Sequence, residues 1–518
     1  MTDAPWAGDA CSLVDAFRAK ERSPVEELEA TLGAIAASDL NAFSFLDPDR
    51  ARDAARAADV TAPFGGVPVG VKELEPVEGW PATEASLVFR DRIATTTSPI
   101  VRRLFDAGGV VPVGLTTASE FGGLNIGMTK LNGVTHNPWQ HGRTPGGSSA
   151  GSAAAVAGGL VSIAAGGGGG GSIRIPAGYT GLLGMKGTFG RIPRGPDAWS
   201  RPGTVVLGCL ARSVRDAARY YDVCAGYDPI DPTSLPKGDG WEAGLGTQEL
   251  RGRRVAVIPA LGGVTVEPAV EASVRESAAA LIAANGLVEV DLRLDLPSLA
   301  VQWMIGNFST LLAEMGDRWP ACASELTDEI AIGLYLSQSM YNLREAAVAE
   351  GLRVQAYRAL ATAFEQVDFI IAATNPSPAF AADAPMSSPS DSFVDWAKSN
   401  AVARLAFRGA LGAVRAVAAA FPNVPSVLLD QVGERFPDLA QMGGLTMISN
   451  LYGNPAVSIP AGLVDGLPVG MQVLARHHED ALLFDVARAV EQDRPWPLVA
   501  PGRDQLSNLS LSATTAPS

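Results

Sequence analysis

Apolar residues recur at helical spacing near the start of the chain: Leu13, Ala16 and Phe17, then Leu28, Leu32 and Ile35, each set lying on one helical face. Ser23-Pro24-Val25-Glu26 reads as a helix cap with proline in the first turn, so residues 1–60 are expected as two or three covering helices. At Phe64 to Lys72 the pattern changes to a short β-branched strand between glycines, ending on a lysine. A helix over Ser98 to Ala107, a strand over Val110 to Leu115 and a loop with Ser119-Glu120-Phe121 follow. The alanines of Ser152 to Ala165 predict a buried helix, Gly181 to Arg194 a helix leading to a turn, and Leu210 to Gly226 an amphipathic helix. A strand at Arg254 to Pro259, a helix at Glu267 to Ala284 and a strand at Val288 to Leu292 form a β-α-β pattern with parallel pairing. From 297 to 400 the pattern is helical, with Trp303, Met304, Phe308, Trp319, Tyr335, Met340 and Tyr341 as bulky positions. Core packing accounts for most of these, and the walls of a substrate pocket are expected among them. Asp368 to Thr374 reads as a buried strand, Gly453 to Gly462 with Gly466 to Gln472 as a last strand pair, and Asp480 to Glu491 as a helix. The Ser-, Thr- and Ala-rich tail from 506 to 518 is expected to be mobile.

With 518 residues, 47% hydrophobic and 18% charged, the chain has material for one large α/β core or two to three ordinary domains. Its net charge of −15 argues against nucleic acid and anionic membrane as partners, because both repel an acidic surface. Cys11, Cys209, Cys224 and Cys322 are scattered without zinc or CxxC spacing, which predicts reduced, partly buried thiols and no metal cluster. MTDAPWAGDACSL has no basic or apolar leader pattern, so the expected compartment is cytoplasmic.

The chemistry concentrates between Arg143 and Arg174, where thirty residues carry no ionisable side chain and eleven are glycine. Six glycines in a row, Gly166 to Gly171, end on Ser172, a pattern expected of a loop that exposes a hydroxyl. Their unshielded N–H groups can converge on a developing negative charge as an oxyanion hole does. A linker would have polar spacers, yet an apolar turn, Ile173-Arg174-Ile175-Pro176-Ala177, follows this run. Residues 152–173 are too weakly apolar for a membrane span, and no phosphate-loop motif is present.

GGSSAGSAAAVAGG followed by GGSIRIPA resembles the amidase signature family, serine hydrolases that cleave amides and related acyl bonds with a Ser, cis-Ser, Lys triad. The resemblance covers about residues 60 to 500. It implies an α/β fold, a single domain over 61–505 with a mixed twisted β-sheet covered by helices on both faces. It also implies Ser172 as nucleophile, Ser148 as bridging serine after a cis Gly147–Ser148 peptide, and Lys72 as base. The amides of Gly169, Gly170, Gly171 and Ser172 would hold the oxyanion, with Ser149 and Arg174 in support. Asn137-Pro138-Trp139 also resembles a family segment close to the substrate. One departure stands inside the motif. The family has Thr-Asp where Gly167 to Gly169 stand here, with the Asp expected at 168, so Arg174 is expected to lack its carboxylate partner.

Burial lowers the pKa of a lysine, which would let Lys72 take a proton from Ser172 through Ser148. Strand alternation should turn its neighbour Glu73 to the opposite face. His136 and His141 raise a Ser-His-Asp alternative, but GxSxG is met only trivially at Gly147 to Gly151 and lacks a strong preceding strand. The expected reaction is acyl transfer on an amide, carbamate or ester of a small neutral, aryl or aliphatic molecule, with no metal or organic cofactor, in a monomer or homodimer. Two other readings are a glutamine-hydrolysing component of a tRNA-dependent amidotransferase, and an inactive binding protein of the same fold.

Overall fold

Pro68–Lys72 forms the fully buried strand β2. In the computed structural model of the chain, which describes residues 4–195, 203–238, 240–384 and 443–501, β2 is third from one end of an 11-stranded sheet. The outer strands on that side are β1 (Phe43–Leu46) and β3 (Val111–Thr116). A two-stranded pair, β4 (Met128–Thr129) and β5 (Gly133–Val134), stands apart from the sheet. Beyond β2 come β6 (Ile163–Gly168), then β8 (Val206–Ala211), then β7 (Leu183–Lys186). The order continues through β12 (Ala456–Val464), β13 (Leu467–Ala475), β11 (Phe369–Ala373), β9 (Arg254–Val257) and β10 (Val288–Glu289). The sheet is mixed: β2 runs parallel to β3 and β6, and β9 to β10 and β11, while β6, β8, β7, β12 and β13 alternate in direction.

Helices cover this sheet. Ser23 and Glu26 close a reciprocal capping box at the start of α2 (Pro24–Ala37), which follows α1 (Ala10–Ala19). Leu28 of α2 and the alanines Ala51 and Ala55 of α3 (Pro48–Arg56) pack on Val111 and Val113 of β3. After α4 (Pro99–Asp106) come α5 (Ala150–Ala157), α6 (Arg174–Thr180), α7 (Val214–Cys224) and α8 (Pro268–Asn285). Then α9 (Ala300–Met315), α10 (Asp328–Met340), α11 (Leu343–Gln366), α12 (Gly444–Tyr452) and α13 (Asp480–Asp493) complete the described helices.

Three expectations from sequence are corrected. The buried helix expected over 152–165 stops at Ala157, and Ile163–Gly168 is a strand, because Gly158 and Gly159 end the helix and the chain then pairs with both β2 and β8. The glycine run is thus half strand, half turn. The helix expected from Gly181 is instead strand β7, since Gly181 (φ +71°) terminates α6 and Leu183–Lys186 pair with β8 and β12. The amphipathic helix expected from Leu210 starts at Val214, capped by Ser213, while Leu210 lies in β8. Sheet pairing outweighs local helix propensity in each case. The expected parallel β9-α8-β10 unit is present, with β10 shorter than its predicted span. Residues 385–400 and the tail from 506 to 518 lie outside the described residues.

The region from 300 to 340 forms its own apolar cluster, and Trp303 also packs against the main sheet core. Phe308, Leu311 and Met315 of α9 and Ile330 and Leu334 of α10 cluster with Phe89, Phe121, Leu124 and Ile126. All four cysteines are free and buried, and among the described residues no helix is long and apolar enough to cross a membrane.

The N-terminal helix is tied to the rest by a buried carboxylate. Asp216 of α7 accepts hydrogen bonds from the backbone N–H groups of Ala10 (3.0 Å) and Cys11 (2.9 Å). Burial, with Asp9 nearby, pushes its carboxyl up to about 7. A raised carboxyl keeps in the folded state a proton that the unfolded chain releases near pH 4. Its contribution to stability is therefore complete below that pH and lost as the pH rises through about 7. Asp216→Asn should flatten this segment of a melting-temperature-versus-pH profile; an unchanged slope would refute the assignment.

Candidate active site

Lys72 ends β2 with its side chain 1% exposed. Its Nζ donates to Ser148 Oγ at 2.7 Å and to the Gly167 carbonyl at 2.6 Å. The parallel pairing of β2 with β6 brings this about, since both strands run towards the same edge and Gly167 lies near the end of β6. Glu73, one residue on, takes the other side: it accepts from Ala118 N (2.6 Å) and from Asn132 Nδ2 (2.9 Å to each oxygen). Its own burial pushes this carboxyl up to about 7.

Ser148 is fully buried and follows the cis Gly147–Ser148 peptide anticipated from the motif. Its carbonyl accepts from Ser119 N at 3.2 Å. The next residue, Ser149, starts α5, and its Oγ accepts from Gly167 N at 3.3 Å. The two serines therefore hold Gly167 from opposite sides, Ser149 directly at its N–H and Ser148 through the lysine on its carbonyl.

Gly169 to Gly171 form the turn between β6 and Ser172, and α6 begins two residues later. Three carbonyls along this turn have a named donor. Gly168 O takes Asn450 Nδ2 (3.0 Å), Gly170 O takes Thr446 Oγ1 (2.6 Å) and Gly171 O takes Ile175 N (2.8 Å). In a planar trans peptide the N–H points opposite to the C=O, so the amides of Gly169, Gly171 and Ser172 face away from those donors. Ser172 is 8% exposed, more than Lys72 or Ser148. Its side chain rests on Gly168, where a Cβ would stand 2.5 Å from Ser172 Oγ and 3.6 Å from Ser148 Oγ. The three predicted triad residues are thus brought together around the glycine run.

Arg174 is fully buried and has no ion pair among the described residues, as the missing Asp at 168 led one to expect. It donates to Gln472 Oε1 (2.8 Å), the Thr446 carbonyl (2.7 Å) and Asn450 Oδ1 (2.6 Å). Desolvation lowers its pKa to about 9. Sequence reasoning missed Thr446, Asn450 and Gln472. No motif marks them, and they lie more than 270 residues downstream of Arg174.

A cavity of about 520 Å³ opens onto Lys72, Ser148 and Gly167 to Gly169, walled by Phe121, Trp303, Met304, Phe308 and Leu311. A smaller recess beside it contains Ser172, Gly170, Trp303 and Met447. Trp303 packs so near the turn that a Cβ at Gly170 would come within 3.0 Å of its ring. The expected pocket wall is therefore the α9 portion of the segment, Trp303, Met304 and Phe308. Trp319 and Tyr335 instead pack on each other at 4.6 Å. His136 and His141 stack at 3.8 Å and line neither cavity.

A profile of the Amidase family matches residues 26–411. Among characterised proteins, the glutamyl-tRNA(Gln) amidotransferase A-type chain from Salinispora tropica is 32% identical, the match covering 95% of this chain and 98% of that protein. An acylamidase from Rhodococcus erythropolis is 30% identical, over 94% of this chain and 95% of its own. The crystal structure of a bacterial aryl acylamidase superposes with a TM-score of 0.80 at 23% identity, over 97% of this chain and 98% of that one, a likeness of fold.

Two substitutions test the turn. Gly171 has φ +139°, and a Cβ there would collide with Thr446 Oγ1, the donor to Gly170 O. Gly171→Ala should cost about 1–3 kcal/mol of stability and, through displacement of Ser172, about a hundredfold in turnover. Gly168→Asp, which restores the expected acid, should lower rather than raise the melting temperature and turnover, because its Cβ would meet Ser172 Cβ at 2.5 Å. A gain in either measurement would refute this account of the glycines.

Proposed function

The chain belongs to the amidase family, and from that premise we propose that it hydrolyses a carbon–nitrogen acyl bond of a small molecule through an acyl-enzyme on Ser172. The observation that carries this reading is the convergence of Lys72 Nζ, 2.7 Å from Ser148 Oγ, with Ser172 on the shared glycine run. Ser172 Oγ attacks the carbonyl carbon, its proton passing through Ser148 to Lys72. Lys72, buried with its Nζ 2.7 Å from Ser148 Oγ, is placed to accept that proton as the free amine. The amides of Gly169 to Ser172 stabilise the oxyanion of the tetrahedral intermediate. As the intermediate collapses, the proton returns along the same path to the leaving nitrogen and the amine departs. Water then repeats the sequence on the acyl-enzyme, releasing the acid and restoring Ser172. Ser149 and Arg174 act on geometry, holding Gly167 and the start of α6.

The apolar walls around Trp303, Met304, Phe308 and Phe121 suit an aryl or aliphatic body next to the scissile bond. This agrees with the acylamidase relative. Amides and carbamates, and esters as a side reaction, share the oxyanion that the site would hold. The 32% identity to an amidotransferase component supports a second reading, in which the released ammonia of glutamine passes to a partner chain. Glutaminase activity that needs a copurifying partner would favour that reading. Turnover by the isolated chain, as a monomer or homodimer, favours the first.

A panel of p-nitroanilides, aryl carbamates and p-nitrophenyl esters tests the mechanism. Wild type should turn over at least one class, and Ser172→Ala and Lys72→Ala should each lower kcat by about 10³-fold or more, with folding unchanged by circular dichroism. A fluorophosphonate should label wild type and spare Ser172→Ala. Absence of both turnover and label would leave the inactive binding protein as the better reading.

A further inference from the structure

Arg194 lines the 520 Å³ cavity and is only 7% exposed, yet its guanidinium is poorly partnered. Nε and Nη1 are buried and make no hydrogen bond, leaving three of five N–H groups unused. Among the described residues Nη2 reaches only Thr233 Oγ1, at 3.3 Å. Among the described residues its carboxylate partner is Asp231, which comes within 3.8 Å of Nε but is occupied elsewhere. Its Oδ2 accepts from Arg194's own backbone N–H at 2.9 Å, and its Oδ1 from Thr233 N (2.9 Å) and Oγ1 (2.6 Å). Phe189 supports the guanidinium from one face at 4.7 Å.

Arg92, the other arginine of the cavity, differs. It donates to the Ala82 carbonyl at 2.5 Å and is flanked by Glu84 at 3.3 Å and Glu314 at 3.6 Å. That group answers its own charge. Glu75 also lines the cavity, in the turn that follows Lys72.

Buried donors in native proteins find acceptors, and a planar guanidinium matches a carboxylate better than it matches any single oxygen. Arg194 shares this cavity with Lys72 and Ser148, and much of its lining, Phe121, Val205, Leu207, Trp303 and Phe308, is apolar. Building on the amide-hydrolase reading, we infer that the substrate carries a carboxylate remote from the scissile acyl bond, separated from it by an apolar spacer, and that Arg194 binds this carboxylate. The substrate is then anionic at one end rather than neutral throughout, and Arg194 is a specificity-determining residue that takes no part in bond breaking.

Matched pairs differing only in a remote carboxylate or its methyl ester test this: glutaryl 4-nitroanilide for the acyl side, and 4-(acylamino)benzoate for the amine side. Wild type should favour the carboxylate of at least one pair by about tenfold or more in kcat/KM. Arg194→Met should abolish that preference, mainly through KM, and Arg194→Lys should keep part of it. Equal or greater turnover of the esters by wild type overturns the inference. So does an equal loss on both members of a pair in Arg194→Met, which would mark a structural role. If Arg194→Met does not fold, Arg194→Lys and Arg194→Gln supply the same ratios. If no substrate is turned over, the hydrolase reading fails on its own, and the melting temperature of Ser172→Ala with 4-(acylamino)benzoate decides. A rise lost on adding Arg194→Met upholds carboxylate binding; no rise, or one indifferent to Arg194, overturns it.

Discussion

A buried guanidinium without a counter-charge is the constraint on which the rest of the site depends. Arg174 must be solvated by neutral oxygens, and two of the three that do so belong to side-chain amides, Asn450 and Gln472. Each amide works at both ends. Asn450 accepts from Arg174 and donates to the carbonyls of Gly168 (3.0 Å) and Thr204 (2.9 Å). Gln472 accepts from Arg174 and donates to those of Ala373 (3.0 Å) and Leu445 (2.7 Å). A carboxylate at either position would face two carbonyl oxygens with no proton to offer, so the neutral amides suit this arrangement better than a salt bridge. The absence of an acid at 168 is thereby matched by a different solution within the same core.

That solution fixes the direction of the glycine turn. Asn450 and Thr446 hold the carbonyls of Gly168 and Gly170, and planarity sends the N–H groups of Gly169 and Gly171 away from them. The absence of side chains allows Trp303 to lie against Gly169 and Gly170, Ser172 against Gly168 and Thr446 against Gly171. Glycine is required here for close approach from several sides. Exposure increases from Ser148 and Lys72 to Ser172, so a proton relay would pass from the most exposed of the three to a buried lysine. Donors fixed in this way need no reorganisation as charge develops, and fixed donors are the larger part of oxyanion stabilisation.

What could be read in the sequence was local. Lys72, Ser148 and Ser172 each sit in a short motif whose spacing survives without knowledge of the fold, and the strand ending at Lys72 announced itself by its β-branched residues. Strands β6, β7 and β8 did not. Their Ala, Gly and Leu content resembles helix or loop, and only pairing with neighbours brought from elsewhere in the chain makes them strands. Thr446, Asn450 and Gln472 were equally silent, because an amide that matters for accepting one proton and donating two has no local pattern to betray it. Arg194 was read only as the end of a turn, and its significance depends on what Asp231 and Thr233 leave unpaired.

The aromatic wall and the site are also coupled by a buried carboxylate. Glu120, in the loop that presents Phe121 to the cavity, accepts from Ser86 Oγ (2.6 Å) and from both N (2.7 Å) and Oγ1 (2.6 Å) of Thr327, the residue that caps α10. Burial raises the pKa of this carboxyl, and three donors offset part of that cost. The α9–α10 pair shares its apolar cluster with the same loop, and Trp303 of α9 also packs against the sheet core. A change in these helices would therefore reshape the cavity through Phe121 and Phe308, while one that moves Trp303 would also reach Gly169 and Gly170. Substrate choice and bond chemistry thus rest on different parts of the packing that meet at Trp303, which touches both the cavity and the glycine turn.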